Sequence, residues 1–209
     1  MPDAPVPAAR PTRLLLWRHG ETEWNRSGRV QGQIDVGLSA TGREQAAAMA
    51  ARLAALRPDA IVSSDLRRAA QTAAALAELT GLSVETDPRL RERHYGQWQG
   101  LGRAELDERW PEERARWRAG DPSPGCGIEH VGDLAERVAQ ALRDVAERHA
   151  GGTIVVSTHG GAARAGCGAL LGWPLDMLRT VGVLSNCHWT DLRFDTVRGW
   201  QLRGYNLSA

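Results

Sequence analysis

Four stretches of the chain hold residue types that could act together on one substrate. Arg18-His19-Gly20-Glu21-Thr22 follows the apolar run Leu14-Leu15-Leu16-Trp17 and leads to Asn25. Arg67 and Arg68 follow Ser63-Ser64-Asp65, Glu92 lies among Arg91, Arg93, His94 and Tyr95, and His159 closes the run from Thr153 to Thr158, ahead of Gly160 and Gly161. A histidine beside a fixed guanidinium is a poor metal ligand, because the cation repels a metal ion. The same pair suits an anion that the imidazole attacks, and phosphate is the natural choice. Each stretch also has a plainer reading: a surface histidine after an ordinary strand or, for Glu92, a solvated ion pair with its flanking arginines. Two strand-terminal histidines are harder to dismiss than one.

The elements that must position these groups follow from hydrophobic pattern and punctuation. Both histidines end short apolar runs of the kind that form central, doubly covered strands, and ligands collect at the ends of such strands. Arg26 to Asp35, rich in glycine and polar residues, reads as a loop. A capping box at Thr41-Gly42-Arg43-Glu44 opens an alanine-rich helix that runs to Leu56, before Pro58. Ala60 to Asp65 is a second strand, and Leu66 to Leu79 a helix closed by Gly81. Arg67 and Arg68 then lie about 100° apart on the helical wheel, so one faces the end of the sheet and the other solvent.

Leu82 to Thr86 reads as a strand, and residues 102–120 as helical segments broken at Pro111, with Trp110 and Trp117 on one face. Arg114 and Arg118 share a neighbouring face, either solvated or overhanging the pocket as a lid. Asp121 to His130 is a Pro/Gly loop, Val131 to His149 an amphipathic helix, and Ala162 to Leu171 a small-residue helix able to offer its N-terminus to an anion. Val181–Leu184, Cys187–Phe194 and Gly199–Tyr205 suggest closing strands.

Composition narrows the classes. The 209 residues carry 26 basic and 25 acidic groups, so no global field points to nucleic acid or to a membrane surface as partner. Every basic residue is arginine, which excludes a lysine Schiff base and a P-loop lysine and leaves guanidinium forks to bind oxyanions. Cys126, Cys167 and Cys187 form no CxxC pattern, so neither a disulfide framework nor a zinc cluster is indicated, and a reducing cytoplasm is the simplest compartment. The proline-containing residues 1–12 read as a disordered tail without an apolar leader, and 13–209 as a single domain.

Taken in order, Arg18-His19-Gly20-Glu21-Thr22 with Asn25, Ser63 to Thr72, Leu90-Arg91-Glu92 and Ser157 to Gly161 resemble the histidine phosphatase superfamily. The resemblance implies an α/β fold, a phosphoglycerate-mutase-like three-layer α/β/α sandwich with a mostly parallel central sheet. It implies that His19 is the nucleophile that becomes a phosphohistidine, and that Arg18, Arg68 and His159 hold the transferring phosphoryl group, with Asn25 as a further donor. Glu92 matches the family's proton donor. Gln31 and Gly32 occupy its substrate loop, Tyr95 sits where the rest of the substrate is touched, and Gly160 lies beside the second histidine as a substrate contact.

The expected substrate is a small phosphate ester, with no metal and no cofactor, and a homodimer is an admissible assembly. Gln31-Gly32-Gln33, Ile61 to Ala69, Gly96 to Leu101 and Asn186 to Thr190 are similar to the subgroup of glucosyl-3-phosphoglycerate phosphatases and related broad phosphatases. Two departures stand out. Gly127-Ile128-Glu129-His130 replaces that subgroup's Gly-Gly-Glu-Ser loop, and Glu92-Arg93-His94-Tyr95-Gly96 is closer to the cofactor-dependent mutases. A phosphoglycerate mutase and a phosphatase of protein phosphohistidine are therefore the competing readings. Against the mutase, Arg114, Arg116 and Arg118 alternate along a helix instead of forming one fork, and Gln31 stands in place of a threonine; for it, Arg103 could replace the mutase lysine.

Overall fold

The computed structural model describes residues 10–208. Within them, strand β1 (Thr12–Arg18) is covered on both faces, with Leu14, Leu15, Leu16 and Trp17 wholly buried. Alternation of side chains along a strand sends neighbours to opposite faces, so an unbroken apolar run needs a layer on each side. Leu14 and Leu16, with Ile154 and Val156 of β4 (Thr153–Thr158), pack under helices α6 (Val131–Arg148) and α7 (Gly160–Leu170). Leu15 and Trp17 join Val155 and Ile61 of β2 (Ala60–Ser63) beneath α2 (Ala40–Ala55) and α3 (Arg67–Thr80). The result is a three-layer α/β/α sandwich.

The sheet adds β3 (Val84–Thr86), β5 (Trp189–Asp195) and β6 (Gly199–Leu207) and runs in the order β3-β2-β4-β1-β5-β6. Its first four strands are parallel, and β5 and β6 complete it antiparallel. Leu14 pairs with Ile154 and Arg18 with Thr158, so β1 and β4 end in step. His19 and His159 therefore leave the sheet side by side, with ring centroids 5.2 Å apart.

Beyond β1, Thr22 caps the single-turn helix α1 (Glu23–Arg26) by a reciprocal capping box with Asn25. A separate apolar cluster built on Trp98, Leu106 and Ile128, joined by Val30, Tyr95, Trp110 and Trp117, packs helices α4 (Arg103–Arg109) and α5 (Pro111–Ala119) over the end of the sheet that carries the histidines. Among the described residues no helix is long and apolar enough to cross a membrane.

Several sequence expectations are corrected. The cap of α2 is Ser39, whose hydroxyl accepts from the Gly42 amide at 3.0 Å, and not the box beginning at Thr41. Val181–Leu184 is not a strand, because side chains take its carbonyls: Arg164 donates to Val181, Tyr205 to Gly182 and Arg18 to Leu184. β5 starts at Trp189 because Cys187 turns the chain at φ +58°. Of the expected tail, residues 1–9 lie outside the described residues, whereas Thr12 already pairs with Phe194.

The loop after His19 is pressed against the start of α2 through two glycines. A Cβ on Gly42 would stand 2.0 Å from the Glu21 carbonyl oxygen, and one on Gly20 would stand 2.3 Å from the Gly42 oxygen. Gly42→Ala is expected to cost about 2 kcal/mol, the usual scale for overpacking a tight contact. Urea unfolding measures it, and an unchanged midpoint would contradict this packing.

Candidate active site

His19 is almost wholly buried at the end of β1, and its Nδ1 lies 2.7 Å from the carbonyl oxygen of Gly20. A carbonyl can only accept, so Nδ1 carries the proton and Nε2 is left with its lone pair toward the cavity. The side-chain amide of Asn186 donates to the His19 carbonyl at 3.0 Å, and the His19 amide donates to Thr158 at 3.0 Å. The imidazole is thus fixed in one tautomer on a backbone tied down from both sides.

Around that nitrogen stand donors whose structural partners are neutral. Arg68, buried at the start of α3, donates from Nη2 to the Gly32 carbonyl at 2.7 Å, from Nη1 to Ile34 at 2.9 Å and from Nε to His159 Nδ1 at 3.2 Å. Two of its five N–H groups remain. Arg67, one residue earlier, is exposed, as the helical offset requires. Arg18 gives Nη1 to Leu184, and its buried Nε has no partner in the protein. The Asn25 carbonyl oxygen accepts from the Thr22 amide at 3.1 Å, that of Gln31 accepts from the Thr22 hydroxyl at 2.9 Å, and both residues line the cavity. Gly32 adopts φ +53°, the left-handed region that favours glycine, with the Gln99 side chain packed against it.

Glu92 faces this donor cluster from the other side. Its Oε1 accepts from the amides of Arg93 (2.8 Å) and Ala162 (3.0 Å), and its Oε2 accepts from Gly161 (2.9 Å), at the N-terminus of α7. Oε2 keeps a site for a further proton. Gly161 is needed there because a Cβ would come within 2.5 Å of the carboxylate, and at Gly160 it would meet Val183 at 2.5 Å.

The expected site residues Arg18, His19, Asn25, Gln31, Gly32, Arg68, Glu92, Tyr95 and Gly160 line one cavity of about 500 Å³. His159 does not line it. Both its ring nitrogens are engaged, Nδ1 accepting from Arg68 Nε at 3.2 Å and Nε2 as a donor to Ser64 Oγ at 2.9 Å. Arg164, one helical turn beyond Gly160, also lines the cavity, as do Arg29, Trp98 and Val183, none of which belongs to the motif positions expected at the site. The spacing from Gly160 to Arg164 is the signal that would have found the first.

An outer chamber of about 890 Å³ adjoins the cavity through Val30, Arg114, Trp117 and Arg164. Arg114 and Arg118 both border that chamber, and both reach Asp107, at 3.1 and 2.7 Å. Among the described residues no three His, Cys, Asp or Glu side chains are grouped so as to hold a metal ion.

Burial, then the positive charges of Arg68 and Arg18, hold His19 well below the ordinary imidazole value. Burial, then Arg68, His19 and Arg18, does the same for His159. Burial lowers Arg68 to about 10, which leaves it cationic at neutral pH. The arrangement pairs a neutral, oriented imidazole lone pair with fixed positive charge and one carboxylate. It suits transfer of a phosphoryl group to nitrogen.

A model of the histidine phosphatase superfamily (branch 1) matches residues 14–208. The glucosyl-3-phosphoglycerate phosphatase of Mycobacterium tuberculosis is 40% identical over 216 residues, covering 96% of this chain and 96% of that protein. The metal-independent phosphoserine phosphatase of Arabidopsis thaliana is 43% identical over 159 residues, 74% of this chain and 66% of that protein. Among solved structures, a mycobacterial glucosyl-3-phosphoglycerate phosphatase in complex with VO3 superposes with a TM-score of 0.87 at 40% identity, covering 94% of this chain and 99% of the other.

The depressed histidines have a measurable consequence. In the unfolded chain both bind protons near the ordinary value of about 6.5, whereas the folded protein resists protonation, so stability falls as pH drops below that value toward the folded pKa. Ring-nitrogen NMR at about pH 6 is expected to show His19 neutral with its proton on Nδ1, and His159→Gln is expected to lose less stability than the parent between pH 7 and pH 5. A doubly protonated His19 at that pH would contradict the site's electrostatics.

Proposed function

We propose that this chain, which belongs to the histidine phosphatase superfamily, hydrolyses phosphate monoesters of small metabolites through a phosphohistidine at His19. The observation that carries the reading is the free Nε2 of His19, oriented by the Nδ1 bond to Gly20 and set among Arg18, Arg68 and the Asn25 and Gln31 amides. The lone pair of Nε2 attacks phosphorus, the ester P–O bond breaks, and the equatorial oxygens are held by the guanidinium and amide N–H groups. Glu92 gives a proton to the departing alkoxide. It then takes a proton from the water that attacks the phosphohistidine, the P–N bond breaks, and inorganic phosphate and neutral imidazole result.

The outer chamber is the natural seat for the alcohol part of the substrate. Arg93, Arg164 and Arg179 border it and donate to backbone carbonyls, and Asp121 and Asp176 are the carboxylates in its lining. That lining favours an alcohol that carries its own negative charge and is larger than a glycerol unit. A glycosylated phosphoglycerate fits, in line with the substrate named for the mycobacterial relative. The mutase alternative is disfavoured because Arg114 and Arg118 converge on Asp107 instead of presenting one free fork for a substrate carboxylate.

The test is to supply 3-phosphoglycerate with a bisphosphoglycerate primer and, separately, glucosyl-3-phosphoglycerate and phosphoserine. Release of inorganic phosphate, with kcat/KM for the glucosylated ester at least tenfold above that for phosphoserine, is expected. Rapid interconversion of 3- and 2-phosphoglycerate with little phosphate release would overturn the reading.

A further inference from the structure

The stretch that carries Glu92 has no regular secondary structure of its own: it leaves the single turn Pro88–Leu90 and runs irregularly to the next turn at Gly96. A proton donor on such a segment needs something rigid to hold it. The side chain is held at the N-terminus of α7, as described. The backbone is held from the opposite direction by a residue outside the catalytic cavity.

Arg137 lies near the middle of α6, the long helix packed against α7 and the sheet. Its Nη1 donates to the carbonyls of Arg89 and Arg91, both at 2.8 Å, and its Nη2 donates to the carbonyl of Glu92 at 2.9 Å. The remaining donors go to Glu129, from Nε to Oε1 at 2.6 Å and from Nη2 to Oε2 at 2.9 Å. A guanidinium has five N–H groups, and here all five have acceptors. Glu129 extends the clamp further along the same segment: its Oε2 accepts from the His94 amide at 2.9 Å, its amide donates to the His94 carbonyl at 2.9 Å, and its carbonyl accepts from Arg93 Nε at 2.7 Å.

We propose that Arg137, oriented by Glu129, is a positioning residue that fixes the segment 89–94 so that the Glu92 carboxylate stands at the N-terminus of α7 and faces the His19 cavity. The inference rests on the reading of Glu92 as the proton donor. It gives a task to the loop in which Glu129 stands: that loop anchors the acid from behind. Lysine cannot replace the fork, because three tetrahedral donors cannot reach three carbonyls and both carboxylate oxygens at once. Release of the clamp would let the carboxylate drift while leaving Arg18, Arg68 and His19 in place, so the defect falls on proton delivery and not on phosphate binding.

The experiment compares Arg137→Lys, Arg137→Met and Glu129→Gln with Glu92→Gln on two esters, p-nitrophenyl phosphate with its good leaving group and an alkyl phosphate with a poor one. Inorganic phosphate as a competitive inhibitor reports the phosphoryl site. In the Arg137 variants kcat for the alkyl ester is expected to fall at least tenfold more than kcat for the aryl ester, with the inhibition constant for phosphate changed less than threefold. Combining Arg137→Lys with Glu92→Gln should add no further selective loss. The amide resonances of Gly161 and Ala162, which donate to Glu92, should move in Arg137→Lys in the same direction as in Glu92→Gln. Glu129→Gln replaces one of the two carboxylate acceptors of Arg137 by an N–H donor and so loosens the clamp while leaving Arg137 in place. It is expected to show the same leaving-group selectivity to a smaller extent and carries the test if the Arg137 variants do not fold; equal losses on both esters there would overturn the proposal.

Equal losses on both esters in folded Arg137 variants, or unmoved Gly161 and Ala162 resonances, would overturn the proposal. A Glu92→Gln variant without leaving-group selectivity would instead overturn the role of Glu92, and the amide resonances would still decide whether Arg137 positions it.

Discussion

The parallel pairing of β1 with β4, in the register that sets Arg18 against Thr158, is the constraint on which the rest of the site depends. Both strands are sealed between helical layers, so a slip of one residue would send every buried side chain to the wrong face. With that register fixed, His19 and His159 emerge together, α7 begins beside them, and its first amides meet Glu92. The tight backbone approach of Gly20 and Gly42 holds the following loop down, which leaves Thr22 free to orient the amides of Asn25 and Gln31.

A second feature gives the site its chemistry. The guanidiniums of Arg18 and Arg68 make their structural hydrogen bonds to carbonyl oxygens and to an imidazole, not to carboxylates. Desolvating an unpaired cation is costly, and the cost is visible in the lowered pKa values of both arginines and both histidines. The charge is left uncancelled where a dianionic phosphoryl group would sit. Elsewhere the same residue type is neutralised locally, as in Arg13 with Asp191 and Arg91 with Asp65. Glu92 is the one carboxylate in the cavity lining among the described residues, and its backbone donors keep it at the edge of the cation cluster.

How much of this could be read from residues alone varies with the range of the interactions. Strands, helices and the opposite fates of Arg67 and Arg68 follow from local periodicity, and the Gly81 cap from a single residue. The pattern at 181–184 misleads because its carbonyls are claimed by Arg164, Tyr205 and Arg18, partners at 17 to 166 positions' remove. The cap of α2 differs from the local pattern by two residues because Ser39 and Thr41 are both good caps, and in the fold it is Ser39, with Gly42 packed on Glu21, that accepts from the Gly42 amide. The engagement of both nitrogens of His159, by Arg68 and Ser64, and the bonds from Arg137 to the carbonyls of Arg89, Arg91 and Glu92 join residues 45 to 95 positions apart, beyond the reach of any local motif.

The central claim is that His19 Nε2 takes the phosphoryl group, since Nδ1 is committed to the Gly20 carbonyl. The most direct measurement is to quench the enzyme in alkali during steady turnover of p-nitrophenyl phosphate, then locate the phosphoryl group by peptide mass spectrometry and assign the ring nitrogen by phosphorus–proton NMR. The account predicts phosphate on Nε2 of His19, formed and lost at rates compatible with turnover. Phosphate on Nδ1, on His159 or on any other residue, or turnover with no phosphorylated enzyme under any substrate tried, would contradict it.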